Sequence, residues 1–303
     1  MKISLVHNPT AGGGQDLDDI IGLVTGAGHT VRHRSTKGRW KVLLQDPGDL
    51  LVAAGGDGTV RKVALAAADT AVPFAILPIG TANNIAKTLS LMGDARALVE
   101  SWSDGLAQGV PFDIGQANGN RFVESIGGGP IADLIARSDE IEAGANLLGR
   151  ETDRALYLFR ELVADAPTRP WRVLVDGSDV SGDYLAVEIV NIRFVGSNVP
   201  VAPAADPSDG LLDVVLIGEA ERQSLIDYLD GRLQLSSGTA PETPRVTGRM
   251  IELEAPAGVR MHLDDRLWPK ADSLKKPKRV DIRCLSGAAT LVGPGPPSVD
   301  GVG

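Results

Sequence analysis

Cysteine is almost absent from this chain. Cys284 stands alone, which excludes an internal disulfide and a paired-cysteine zinc site and leaves the cytoplasm as the default compartment. Long apolar runs are missing as well, so no segment offers the roughly 20 residues that a membrane span needs. The opening MKISLVHNPT carries one lysine and a strand-length apolar patch, too short for a secretory signal. The expected location is cytoplasmic, or peripheral at the inner membrane face, with no transmembrane segment. Positive charge is in deficit: 30 Lys and Arg face 39 Asp and Glu, and the net charge of −9 argues against non-specific nucleic-acid binding. Two local clusters run against that balance. VRHRSTKGRWK (31–41) has no acid and includes Ser35 and Thr36, so it suits either a solvated face or a phosphate. KKPKR (275–279) reads as solvated surface. His7, His29, His33 and His262 are scattered and suggest no metal cluster. The four Trp read as packing or interface residues, with Trp40 in the basic stretch placed to touch a membrane surface.

What is present is enough apolar material, 43% of 303 residues, for two domains and a sizeable core. Up to about residue 115, strands and helices alternate. KISLVH (2–7), HTVRHR (29–34), LLVAA (50–54) and FAILP (74–78) read as strands. DLDDIIGLVTGAG (16–28), TVRKVALAAAD (59–69) and the stretch from NNIAKTLSL read as helices. This alternation predicts an open, doubly wound parallel α/β sheet. From about residue 116, strand runs dominate: RFVESI (121–126), WRVLVDG, DYLAVEIVN (183–191), LLDVVLI, RMIELEA, VRMHLDD and RVDIRC. Helical spacing appears only in 130–144 and 151–166. The second part is expected to be a mainly antiparallel β-sandwich. The predicted domains are 1–115, 116–292 and a loose tail, 293–303.

Three glycine-rich turns follow strands of the first part: NPTAGGG (8–14), GGDGT (55–59) and PIGTANN (78–84). In a parallel sheet they share the carboxyl edge, where doubly wound folds bind ligands. Helix N-termini there present free N–H groups that suit phosphate, and glycine lets a ligand come close. Neither the GxxxxGK[ST] nor the GxGxxG nucleotide pattern is present. Asp57, inside the second turn, sets it apart. An acid in a phosphate-binding turn needs a compensating magnesium ion or a proton to accept, which is the situation of a phosphotransferase. The plainer alternative is that Asp57 caps a helix beginning near Thr59.

In order and spacing, NPTAGG, GGDGT and PIGTANNIA resemble the catalytic-domain signatures of the diacylglycerol kinase family, which includes bacterial lipid kinases and sphingosine kinases. The likeness continues through NIRFVGSNVPVAPAADPSDGLLDVVLI (191–217) and VRMHLDDRLWP (259–269), where the family carries an Asp-Gly-Glu. It implies an ATP- and Mg2+-dependent kinase of a lipid hydroxyl, such as that of diacylglycerol or a sphingoid base, acting on lipid presented at a membrane. The nucleotide would lie between an α/β domain and a β-rich lipid domain. By position, Asn8, Thr10, Thr36, Gly55, Gly56, Gly58, Thr59, Gly80, Thr81 and Asn83 would line the nucleotide site. Asp57 would be the central acid, and Asp206, Asp209 and Leu211 would form a metal site with main-chain carbonyls.

The chain departs from the family pattern at three acids. Val60, Arg61 and Lys62 stand for a hydrophobic residue, Asn and Glu; Asn83 and Asn84 stand for Asn-Asp; and Arg266 stands for the Glu taken as base. Asp265 becomes the second candidate for the catalytic carboxylate. An NAD kinase, which also uses GGDGT, and an inactive nucleotide- or lipid-binding relative are the alternatives.

Overall fold

The expected change from strand–helix alternation to strand runs divides the chain. In a computed structural model, which describes residues 1–11, 16–137, 151–234, 240–269 and 276–293, the first unit comprises Met1–Ile114, Pro207–Asp209 and Leu285–Gly303. The second comprises Gly115–Asp206 and Gly210–Cys284. The single cut expected near residue 115 is thus supplemented by two returns of the chain to the first unit. The predicted tail falls largely outside the described residues, and Val292, expected in the second domain, belongs to the first. It is buried in the core with Ile3, Leu5, Val52 and Leu77.

In the first unit, strands β1 (Lys2–His7), β2 (Thr30–Ser35), β3 (Leu50–Gly55) and β4 (Phe74–Pro78) are ordered β4-β3-β1-β2 and are all parallel. β1 and β3 are near-continuous apolar runs because helices cover a parallel sheet on its faces. Helix α1 (Leu17–Gly26) starts on Asp16, whose side chain accepts the N–H of Asp18, and it buries Ile20 and Val24. α2 (Asp57–Thr70) buries Val60, Val63, Ala64 and Ala67, as its spacing predicts. α3 (Asn84–Thr88) is a single short turn of helix. α4 (Ala95–Gly105), not anticipated from the sequence, is capped by Asp94 and sinks Trp102 into the core.

The second unit begins within β5 (Val110–Ala117). The expected strand 121–126 is broken into β6 (Asn120–Phe122) and β7 (Ser125–Gly128). α5 (Pro130–Ile135) is the described part of the predicted helix 130–144; Ile141 lies outside the described residues. After α6 (Glu151–Asp165) come β8 (Arg169–Val175), β9 (Ser178–Asp179), β10 (Gly182–Tyr184) and β11 (Ala186–Val190). The short pair β12 (Phe194–Val195) and β13 (Val199–Pro200) precedes β14 (Leu212–Ile217). α7 (Glu219–Leu233) is a second helix missed from the sequence; Glu221 reaches back to accept the N–H of Gly218 at 2.8 Å. β15 (Arg245–Gly248), β16 (Met250–Ala255), β17 (Met261–Leu263), β18 (Arg266–Leu267) and β19 (Lys278–Leu291) complete the chain.

Two antiparallel sheets face each other in this unit. One runs β10-β8-β16-β19 and the other β15-β14-β11-β7-β17-β18. Trp171, Val173, Ile251, Leu253, Val280 and Ile282 of the first meet Ile126, Val187, Ile189, Val214, Met261 and Leu263 of the second. The alternate residues of β11 and β14 point the other way, where Leu156, Phe159, Leu225 and Leu229 of α6 and α7 cover them. Burying one such side chain contributes about 1.5–3 kcal/mol. Among the described residues no helix is long and apolar enough to cross a membrane.

Candidate functional site

Because β1 to β4 are parallel and in register, their carboxyl ends at His7, Ser35, Gly55 and Pro78 share one edge of the first unit. That edge gathers Asn8, Thr10, Thr36, Gly55, Gly56, Asp57, Gly58, Thr59, Gly80, Thr81 and Asn83. Asn8 continues β1 by donating its N–H to Ala54 O at 3.0 Å, and its side chain accepts the N–H and hydroxyl of Thr10 at 3.3 and 3.1 Å. Thr36 is drawn to the same corner by its N–H bond to His7 O at 2.8 Å. The rest of the first glycine turn, residues 12–14, lies outside the described residues.

The other two turns are built against each other. Gly56 is the N-cap of α2, with extended backbone and no side chain to close the helix. A Cβ on Gly80 would stand 2.3 Å from the Cα of Gly56, and one on Gly55 would stand 2.4 Å from the Thr59 hydroxyl. Two of the glycines therefore serve contact between and within turns before any ligand is considered. Asn83 takes the left-handed conformation at φ 53° and locks its own turn, accepting the N–H of Gly80 at 3.0 Å and donating to Gly80 O at 2.7 Å.

Asp57 does not cap α2, as the plainer alternative would have it. It is the first residue of α2, and its carboxylate accepts the N–H of Ile85, in the first turn of α3, at 2.9 Å. The acid of GGDGT thus ties the second glycine turn to the third. Burial is the strongest influence on its carboxyl and raises it above the ordinary value. The N–H groups of Ile85, Asn84 and Asp57 itself, and then the Lys87 charge, pull the other way without cancelling it. Thr81 is exposed and keeps its hydroxyl free of protein partners among the described residues.

The remaining predicted residues lie on other segments of the chain. Asp206 and Leu211 belong to the second unit and Asp209 to the first, all within the 206–211 turn, where both aspartates are exposed. Among the described residues no three His, Cys, Asp or Glu side chains gather to hold a metal ion. A cation at this turn would therefore need carbonyl, water or phosphate oxygens as well, which hard cations accept. Asp265 sits exposed at the tip of the two-residue turn between β17 and β18, beside Arg266, which pairs with Leu263. Its neighbour Asp264 is buried at φ 52°, and its carboxylate accepts the N–H groups of Val123, Glu124 and Ser125 at 3.1, 2.8 and 3.3 Å.

Trp40 does not face a membrane; it is 8% exposed, in the 3₁₀ turn Trp40–Gln45. In the basic stretch, Arg32 pairs with Asp46 at 2.6 Å, while Lys37, Arg39 and Lys41 are exposed. His262 was assigned no role, yet it bonds Glu188 at 2.9 Å with both side chains buried. The sequence signal was a glutamate in the apolar run LAVEIV.

Residues 2–117 match the family model described as the diacylglycerol kinase catalytic domain. Residues 140–274 match that of a YegS C-terminal NAD kinase beta sandwich-like domain. The chain is 30% identical over 184 residues to a diacylglycerol kinase of Bacillus subtilis (strain 168), covering 59% of this chain and 58% of that one. It is 32% identical over 220 residues to a Pseudomonas aeruginosa protein named "Probable lipid kinase YegS-like", covering 71% and 68%. In fold it is similar to a diacylglycerol kinase from Bacillus anthracis str. Sterne, with a TM-score of 0.70 at 22% identity, covering 97% of each chain.

Proposed function

Because the chain belongs to the diacylglycerol kinase family, among its bacterial YegS-like lipid kinases, we propose that it transfers the γ-phosphoryl group of ATP to the hydroxyl of a lipid. The observation that carries this reading is the Asp57 tie. A half-buried carboxylate, raised toward its protonated form, joins two glycine turns at the ligand-binding edge of a parallel sheet. A carboxyl tuned upward by burial is suited to accept a proton near neutral pH.

In the reaction the bond from the γ-phosphorus to the β–γ bridging oxygen breaks and a bond to the lipid oxygen forms. The products are ADP and a phosphorylated lipid, and the hydroxyl proton leaves to a carboxylate. Asn8, Thr10, Thr36, Thr81 and the main-chain N–H groups of 55–59 and 80–83 would hold the phosphates and the nucleoside. Mg2+, when bound, would supply charge neutralisation for the transferred group, and the Asp57 carboxylate would offer it an oxygen donor. Asp57 is assigned the proton-accepting or metal-organising role and Asp265 the second.

The test is transfer from γ-labelled ATP, with Mg2+, to diacylglycerol and sphingoid bases in mixed micelles, with NAD as the competing acceptor. NAD is included because the second family model is described as NAD kinase-like. Labelled lipid supports the proposal. Label on NAD alone replaces it with the NAD kinase reading, and nucleotide binding without transfer to either replaces it with a binding role.

A further inference from the structure

Across the second sheet of the β-rich unit, one row of residues holds a charge pair that the sequence did not reveal. Glu188 on β11 lies opposite Gly127 on β7, and Gly127 lies opposite His262 on β17. Glu188 and His262 are therefore two strands apart, about 10 Å along the sheet, too far for side chains that would have to pass a third. The middle position is glycine. A Cβ there would stand 2.2 Å from Glu188 Oε2. Over the bare backbone of Gly127 the carboxylate reaches His262 Nε2 at 2.9 Å, with Glu188 0% and His262 1% exposed.

The other ring nitrogen fixes what the pair does. His262 Nδ1 faces the main-chain oxygen of Asp264 at 2.9 Å. A carbonyl oxygen only accepts, so Nδ1 carries a proton and donates it, and the carboxylate on Nε2 orients the ring for that bond. Asp264 is the left-handed residue of the β17–β18 turn. Its carboxylate in turn takes the N–H groups of Val123 to Ser125, the bend that splits the expected strand 121–126. From Glu188 the chain of contacts runs through His262 and Asp264 to that row of amides. It ends at a turn whose next two residues are Asp265 and Arg266.

We propose that Glu188 and His262 are positioning residues: the pair clamps the Asp264 carbonyl and so holds the 264–266 turn in the geometry that phosphoryl transfer uses. The catalytic half of this rests on the kinase reading; the clamp itself does not.

The two halves are separated by two substitutions. In His262→Gln the side-chain amide can reach Glu188 but not the Asp264 carbonyl. In His262→Asn it can reach the carbonyl but not Glu188. Amide hydrogen exchange at Val123, Glu124 and Ser125 should accelerate about tenfold or more in His262→Gln as local opening becomes easier, and His262→Asn should restore most of that protection. With an accepted lipid, His262→Gln should lower kcat on the order of a hundredfold by misplacing the turn, leave the KM for ATP unchanged, and be partly rescued in His262→Asn. Equal effects of the two variants overturn the clamp. Faster exchange with unchanged kcat overturns its catalytic use. If neither variant folds, the wild-type protein decides: the Nδ1 proton of His262 should be visible by NMR and protected from solvent, and rapid exchange of that proton overturns the proposal. A wild-type protein inert toward every lipid would count against the kinase reading, while the exchange contrast would still decide the clamp.

Discussion

Asp57 answers at the scale of one residue the question raised by an acid between glycines. It holds the first turn of α3 to the first turn of α2, and it does so as a carboxyl raised by burial. A carboxyl raised on folding favours the fold while protonated. That contribution is complete below the unfolded value, and it is lost as pH climbs through the raised one. Asp57→Asn, neutral at every pH, escapes that loss. Its Tm relative to wild type should therefore shift in the variant's favour as pH rises from about 4 to about 8, while single-turnover phosphorylation falls roughly a hundredfold. A Tm difference that moves the other way with pH would contradict the burial argument, and wild-type turnover would make the acid structural. At Asp265, →Asn should slow transfer and spare ATP binding, measured by titration. The sequence made Asp57 conspicuous because glycines bracket it. It could not show that the hydrogen-bond partner is Ile85, since a contact across 28 residues leaves no local pattern. Glu188 and His262, 74 residues apart, were hidden for the same reason.

Among the elements, the parallel strands and the first two helices were legible because their apolar periods match their burial. The helices α4 and α7 were not. α7 is polar over most of its length, with Leu225, Ile226, Tyr228 and Leu229 as its buried contribution, and its place is set by packing on α6. The run 183–191 was read as one strand, whereas β10 and β11 join different sheets on either side of Leu185. Strand propensity does not say which sheet a residue enters. The glycine turns carry a sharper lesson. Close ligand approach was the expected reason for Gly56, yet its Cα lies against Gly80, so the two glycines set the spacing of their turns. Gly80→Ala should force the turns apart and weaken nucleotide binding more than tenfold, on the order of the 1–3 kcal/mol typical of overpacking. Gly22, in α1 with nothing within 4 Å of the position a Cβ would take, is the control. Gly22→Ala should raise stability by about 0.5–1 kcal/mol in a denaturant titration and leave binding unchanged.

For the whole molecule, the two-part composition of the sequence was visible but its closure was not. A boundary near residue 115 follows from the change of pattern, whereas the return of the last strand to the first unit depends on contacts between chain ends. Leu291 pairs with Phe74, Val292 donates its N–H to Phe74 O at 2.7 Å, and Gly287 donates to Asp113 at 2.6 Å. Removing residues from 285 onward should cost the first unit on the order of 5 kcal/mol, through the buried side chains of Ala289, Leu291 and Val292 and their backbone bonds, and a fragment of residues 1–114 should be cut rapidly by protease and fail to bind ATP. A stable, nucleotide-binding fragment would show the return to be dispensable. The same arrangement orders events at the ribosome. The unit whose strands emerge first is completed only after the second unit has been made, because the segment that finishes it, from Leu285 on, follows the second unit in the chain. A chain stalled or clipped before residue 285 would leave that sheet unfinished and open to proteases, even with the second unit fully made.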